Sequence, residues 1–368
     1  MNFLTLLFGI FALLGALDRI TGNHLKLGDE FEKGVQSVEP LAVAMVGMLT
    51  VAPVLSQFLI PLCTPFAKLI GIDPSFIGGF VANDMGGAAI AAQLSGTVWS
   101  RFHGLVVAAM MGVTICFTIP VALKMVDQAY HKDMLSGILC GVATIPLGCV
   151  VGGLVMKLPI LQIALNLIPV MIVAVLTCVG LALNPDLCCR IFGFIGKLVM
   201  LVITVGLGAG IFTHITDIVL IPGMAPVTEG FSVVCEIAMI LAGVFPLIAT
   251  LSRLLKKPFS RLGEKMGMNE ASVLGLLSSL ANSIPTFTLV EKMNSKGIVV
   301  NLAFATSASF VLGDHLAFTM AYDSSAVLGM IAGKLAGGFF AVLLAFVLYR
   351  KQDVGKVEKN CKKAVEFQ

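Results

Sequence analysis

Eleven apolar stretches run through this chain, and most are long enough to cross a hydrocarbon layer of about 30 Å as a helix. They lie near residues 2–20, 39–62, 74–98, 102–124, 134–156, 160–183, 190–214, 232–252, 269–290, 297–320 and 324–349. Charged residues are only 12% of the 368, about half the share found in soluble domains. So few charges cannot cover a water-facing surface of this size, and the mean hydropathy of +0.99 agrees. In lipid every backbone polar group must be satisfied internally, which leaves helices or closed barrels. Stretches of this length predict helices, hence an all-α polytopic membrane protein.

The charges that remain collect at 18–33, 124–133, 253–265, 291–296 and 350–366. A net charge of +3 held in a few short segments gives no support to nucleic-acid binding. Cys116, Cys140, Cys149 and Cys178 sit in apolar runs, where a thiol behaves as a small hydrophobe. The pair Cys188-Cys189 lacks zinc or redox spacing. No metal and no cofactor is expected. The first stretch has no basic residue before it and is followed by Asp18 and Arg19, which predicts a retained span rather than a cleaved signal.

Short basic connections favour the cytoplasmic side. With the basic tail at 350–368 placed there, a full crossing by 269–290 would put the five-charge loop at 253–265 outside. The conflict disappears if 269–290 enters and leaves on one face. Its centre reads Ser278-Ser279-Leu280-Ala281-Asn282-Ser283-Ile284-Pro285, poor material for an unbroken helix because Pro285 lacks a backbone donor. Segment 74–98, with Asn83-Asp84-Met85-Gly86-Gly87 at its middle, invites the same treatment. The expectation is about nine full spans plus two re-entrant hairpins, with eleven full spans as the alternative.

The two halves also match each other. Gly71-Ile72-Asp73 corresponds to Gly267-Met268-Asn269, and Ala82-Asn83-Asp84 to Ala281-Asn282-Ser283. Gly104-Leu105-Val106-Val107 pairs with Gly297-Ile298-Val299-Val300, Thr114 and Phe117 with Ser307 and Phe310. Glu39 and Glu236 open their copies. An odd number of crossings between equivalent points inverts the second copy. Inverted repeats with broken helices are a recurring basis for alternating access. The expected division is a first repeat over 1–157, a linking helix over 158–189, a second repeat over 190–349 and a cytoplasmic tail over 350–368.

A charge at bilayer depth is expensive and marks function or a structural pairing. Asp84 lies at the first hairpin's tip, and Asp314-His315 interrupts segment 297–320 just after Gly313. Thr114, Thr118 and Pro120 predict a matching unwound stretch in segment 102–124. Helix ends at such breaks offer bare carbonyls to cations and bare amides to anions. Asp84, Asn83, Asn282, Ser283, Thr306, Asp314 and His315 are the candidate substrate-binding residues, and Glu39, Glu236 and Lys334 a candidate charge network. The bland readings are helix capping for the asparagines and Asp84, interfacial capping for the glutamates, and a structural pairing of Asp314 with His315 or Lys334. No phosphate loop, serine elbow or metal-ligand spacing promotes an enzyme.

The stretches Leu41 to Met48, Asn83-Asp84-Met85-Gly86-Gly87, Met110-Met111-Gly112 and Thr144 to Cys149 resemble the bacterial ethanolamine utilisation transport protein family. Leu280 to Pro285 and Leu312-Gly313-Asp314-His315-Leu316 carry the same resemblance, which reaches to about Arg350. It implies an ethanolamine permease or facilitator of the bacterial inner membrane, feeding the catabolism of that amine. The residues themselves reach only a small, cationic solute, so ammonium or another small amine remains an alternative, as does a non-transporting membrane amine receptor. The expected partners are the substrate and the lipid bilayer, with a homo-oligomer left open.

Overall fold

The computed structural model describes residues 3–80 and 86–366, and these form helices and their connections only. The order is α1 (Phe3–Ile20), α2 (Gly28–Gln36), α3 (Val38–Leu41), α4 (Gly47–Ile70), α5 (Gly87–Leu94), α6 (Val98–Arg101), α7 (Ile119–Met125) and α8 (His131–Val155). It continues through α9 (Ile160–Asn166), α10 (Ile168–Leu183), α11 (Pro185–Thr216), α12 (Val227–Lys265), α13 (Glu270–Ser279) and α14 (Ile284–Leu289). The last three are α15 (Ser295–Ala308), α16 (Asp314–Asp323) and α17 (Val327–Glu366). Among the described residues, seven helical stretches are long and apolar enough to cross a membrane. Counting α9 and α10, bent by 47° against each other, as one span makes eight.

That is fewer than nine full spans, and the difference has a local cause. Segment 297–320 is split by residues 309–313: α15 is too short to span alone, and α16 runs on into α17 as one candidate span, Asp314–Tyr349. Segments 74–98 and 269–290 are likewise not single helices. Instead, each folds back so that its two ends meet. Gly71 and Gly267, at φ of 76° and 71°, end their preceding helices in the left-handed conformation that glycine adopts freely. Two residues later Asp73 and Asn269 cap the next turn, accepting from Ser75 N at 2.9 Å and Ser272 N at 3.2 Å.

The same two side chains hold the far ends of their segments. Asp73 Oδ2 accepts from Ser95 Oγ and Thr97 Oγ1, both at 2.8 Å. Asn269 Nδ2 donates to the Lys292 carbonyl at 2.7 Å, and Asn294 Nδ2 to the Gly267 carbonyl at 2.8 Å. Burial raises the Asp73 pKa, but the hydrogen bonds from Ser75, Ser95 and Thr97 outweigh it, leaving the carboxyl below its ordinary 3.8.

The expected unwinding in segment 102–124 does not occur. The chain stays helical from Val98 to Met125 but widens into π-type turns over Phe102–Gly112 and Thr114–Thr118. Wider turns absorb Pro120, whose missing N–H would break a regular ladder, without opening the helix.

Two sets of helices are locked by small residues, as expected where lipid supplies no hydrophobic drive between helices. α8 and α17 run antiparallel: Gly148 lies against Gly333 and Gly152 against Gly329, so the sequence rises in one helix as it falls in the other. Thr144 Oγ1 donates across this seam to Gly337 O at 3.1 Å. In the second set, a methyl at Gly47 would overlap the Ile203 carbonyl of α11, and one at Gly243 of α12 the Phe8 carbonyl of α1. Gly34 presses on Ala242, and Gly230 on Val46.

Candidate functional site

The site is built where the second folded-back segment meets the broken helix. Between α13 and α14 the chain turns through Leu280–Ser283, with Asn282 N donating to Ser278 O at 2.9 Å. The break between α15 and α16 lies alongside. Phe310 N donates to Ser279 O and Leu312 N to Leu280 O, both at 2.9 Å. These two bonds satisfy groups that helix breakage would leave bare at depth. Phe310 takes a φ of 64°, uncommon for a bulky residue. Gly313 sits so close to Ala281 O that no side chain would fit. Tip and break are therefore one pinned unit.

Asp314 opens α16 directly after this unit. A helix N-terminus carries partial positive charge. The Asn282 amide oxygen accepts from Ile284 N at 2.8 Å, starting α14. Its NH2 has no acceptor among the described residues and remains available to a ligand.

Asn282 and Asp314 share a cavity of about 420 Å³ with Lys33, Gln36, Ser37 and Phe117. A second cavity of about 370 Å³ joins it at Asn282 and Phe245 and extends between Glu30, Ser252 and Ser278. Lys33 pairs with Glu30 at 2.6 Å across these two spaces. Phe310 meets Phe117 edge-on, centroids 5.7 Å apart, and lies 5.1 Å from the His315 ring. Nearby, the hydroxyls of Ser283, Ser309 and Thr118 are buried without a hydrogen-bond partner among the described residues. Aromatic faces, unused hydroxyls and a carboxylate at a helix start suit a small solute with one cationic and one polar end.

The structure brings together only part of the set expected from sequence. Asn282 and Asp314 line one cavity, Ser283 is buried next to Asn282 in the chain, and His315 is buried beside Phe310. Asn83 and Asp84 lie outside the described residues. Thr306 is turned away: its hydroxyl donates to Leu302 O at 2.6 Å within its own helix, and its carbonyl accepts from Thr114 Oγ1 at 3.0 Å. Glu39 and Glu236 are exposed and form no ion pair among the described residues, whereas Lys334 is fully buried with its ammonium on the Ala109 carbonyl. Sequence reasoning passed over Lys33, Gln36 and Ser37. The local signal for Lys33 and Gln36 is the short mixed polar and apolar pattern of 28–36, too short to span.

A polytopic α-helical bundle with a polar cavity closed by a broken helix and a folded-back segment is the build of a membrane transport protein. The family model described as "Ethanolamine utilisation protein, EutH" matches residues 2–348, so this chain belongs to the EutH family. It is 43% identical to the "Probable ethanolamine permease EutH" of Listeria monocytogenes, over 92% of this chain and 91% of that one. Proteins of the same name in Salmonella typhimurium and Escherichia coli are 36% and 37% identical, over 95% and 93% of this chain and 95% and 94% of theirs. No solved structure matches the chain.

Proposed function

We propose that this protein carries ethanolamine across the bacterial inner membrane. The observation that carries the mechanism is Asp314 at the start of α16, lining with Asn282 a cavity of about 420 Å³. Protonated ethanolamine places its ammonium on the Asp314 carboxylate, while its hydroxyl meets Asn282 and Ser283. Asp84, outside the described residues, is the alternative counter-charge and Asn83 a further partner for the hydroxyl, while His315 packs against Phe310. Three relatives named as ethanolamine permeases support the substrate.

Transport proceeds by alternating access between two inverted repeats, 1–157 and 190–349, joined through 158–189. Two features support the inversion. Equivalent helices α8 and α17 pack antiparallel, which a two-fold axis across the bundle produces and an axis along it does not. The residues matched between the halves, Phe117 and Phe310, also meet ring against ring. Folded-back segments 74–98 and 269–290 are read as re-entrant, each entering and leaving on one face, with the tail at 350–368 cytoplasmic.

Asp314→Asn and Asp84→Asn are each compared with the parent for labelled ethanolamine uptake in matched vesicles. Uptake falls at least tenfold in Asp314→Asn if one charge-assisted contact worth about 1.4 kcal/mol or more is lost. Unchanged uptake in both variants removes the acids from the mechanism.

A further inference from the structure

The close contacts of the second helix set repeat with a fixed spacing. Gly47 against Ile203 is answered by Gly243 against Phe8, and Gly34 against Ala242 by Gly230 against Val46. Each residue maps to one 195 or 196 positions further along the chain or back. These are backbone-level contacts, so the spacing is a property of the fold and not of a sequence match.

Applied to the cavity walls, the spacing predicts a second cavity, and one exists. Phe245, Ile248 and Ala249 line the first side, and their counterparts Leu49, Ala52 and Pro53 line a separate space of about 190 Å³. Pro285 on the second folded-back segment maps to Ala89 on the first, also in that wall. Lys33 maps to Glu229, which lines it too. The two spaces differ in size: 190 Å³ against 370 and 420 Å³.

They also lie near opposite ends of one helix. The smaller space reaches α12 at Glu229, Gly230 and Val233, the larger at Phe245 to Ser252. At 1.5 Å rise per residue, Gly230 and Ala249 are about 28 Å apart, close to the thickness of the hydrocarbon layer.

We propose that this smaller cavity is the second mouth of the substrate path, narrowed in the state seen here, and that it takes a small ammonium alcohol onto the Glu229 carboxylate and the Gln93 amide. The proposal rests on the transport reading and deepens it. Each space has a carboxylate in its wall, Glu30 paired with Lys33 on the wide side and Glu229 on the narrow one. In the opposite state the volumes exchange. The cavity at Leu49, Ala52 and Pro53 opens, and the one at Phe245, Ile248 and Ala249 closes.

The test uses the full chain in liposomes, with Cys235→Ser removing the exposed cysteine of α12 and Leu49→Cys and Val233→Cys introduced together in the wall of the narrow mouth, so that Gln93 and Glu229 keep their side chains. A short bis-methanethiosulfonate reagent, each arm forming a disulfide with one cysteine as methanesulfinate leaves, bridges the narrow mouth. Relative to the same variant before bridging, ethanolamine uptake falls by about tenfold or more and returns on reduction, because a locked gate stops the cycle. Ethanolamine binding to the bridged protein persists, since the wide mouth still admits it. Full uptake through a bridge confirmed by mass overturns the inference, and so does loss of binding together with uptake, which would mean that the wide mouth does not admit ethanolamine by itself. If the unbridged protein neither binds nor carries ethanolamine, the transport reading fails first and takes this inference with it.

Discussion

Asp73→Ala removes the single carboxylate that closes the first folded-back segment. Its Oδ1 holds the Ser75 N–H at 2.9 Å and the Ser75 hydroxyl at 2.5 Å, and its Oδ2 holds Ser95 and Thr97. A lost helix cap costs about 1 kcal/mol. The two hydroxyls at the far end are partly hydrated, so each bond contributes about 1 kcal/mol rather than the fuller value of a buried charged pair. The sum is about 3 kcal/mol, a large fraction of the margin on which folded domains stand. Asp73→Asn keeps one oxygen and the cap, so it costs about 1 kcal/mol. The opposite exchange is informative because Asn269 donates to Lys292 O, which a carboxylate cannot do. Asn269→Asp therefore costs about 1–2 kcal/mol although it creates the residue present in the first half. Thermal unfolding of detergent-purified protein, followed by intrinsic fluorescence, ranks the three as Asp73→Ala, Asn269→Asp and Asp73→Asn. The pH dependence has a fixed sign. Asp73 is held below its ordinary pKa, so its stabilisation is complete above 3.8 and is lost as pH falls through the folded value. An Asp73→Ala protein as stable as the parent above pH 5 would refute the latch.

Gly47→Ala and Gly243→Ala each force a methyl into a backbone carbonyl and separate a helix pair, lowering stability by several kcal/mol, whereas Gly208→Ala meets open space and changes nothing; yield of folded protein after detergent extraction distinguishes them. Thr306→Val leaves ethanolamine uptake within about twofold, since its hydroxyl is spent inside α15, while Asn282→Leu abolishes it. Phe310→Ala removes a ring packed on Phe117 and His315 and weakens ethanolamine binding by about tenfold, read by calorimetry.

What was legible in the sequence was the solvent, the interruptions and their pairing. Pro285, Gly313 and the Gly-x-Asx triplets at 71–73 and 267–269 are local chemistry, and each does locally what its residue type dictates. The π-type turns at 102–118 were not legible, because Thr114, Thr118 and Pro120 are equally compatible with a broken helix and a widened one. The backbone alternatives differ in hydrogen-bond partner, not in composition. Thr306 shows a related limit: a buried hydroxyl reads as polar in sequence whether it faces a cavity or its own helix. Lys33, Gln36 and Ser37 reach the cavity only because α2 folds onto α12, a long-range packing that no local pattern encodes. Asp73 was visible as a repeat match, but its hold on Ser95 and Thr97 joins residues more than 20 apart.

Counterflow in liposomes bears most directly on the claim that a mobile, saturable ethanolamine site crosses the bilayer. Liposomes containing only the purified protein are loaded with unlabelled ethanolamine and diluted into a trace of label. The account predicts transient accumulation of label above equilibrium, lost in Asp314→Asn. Label entering no faster than in protein-free liposomes would contradict it.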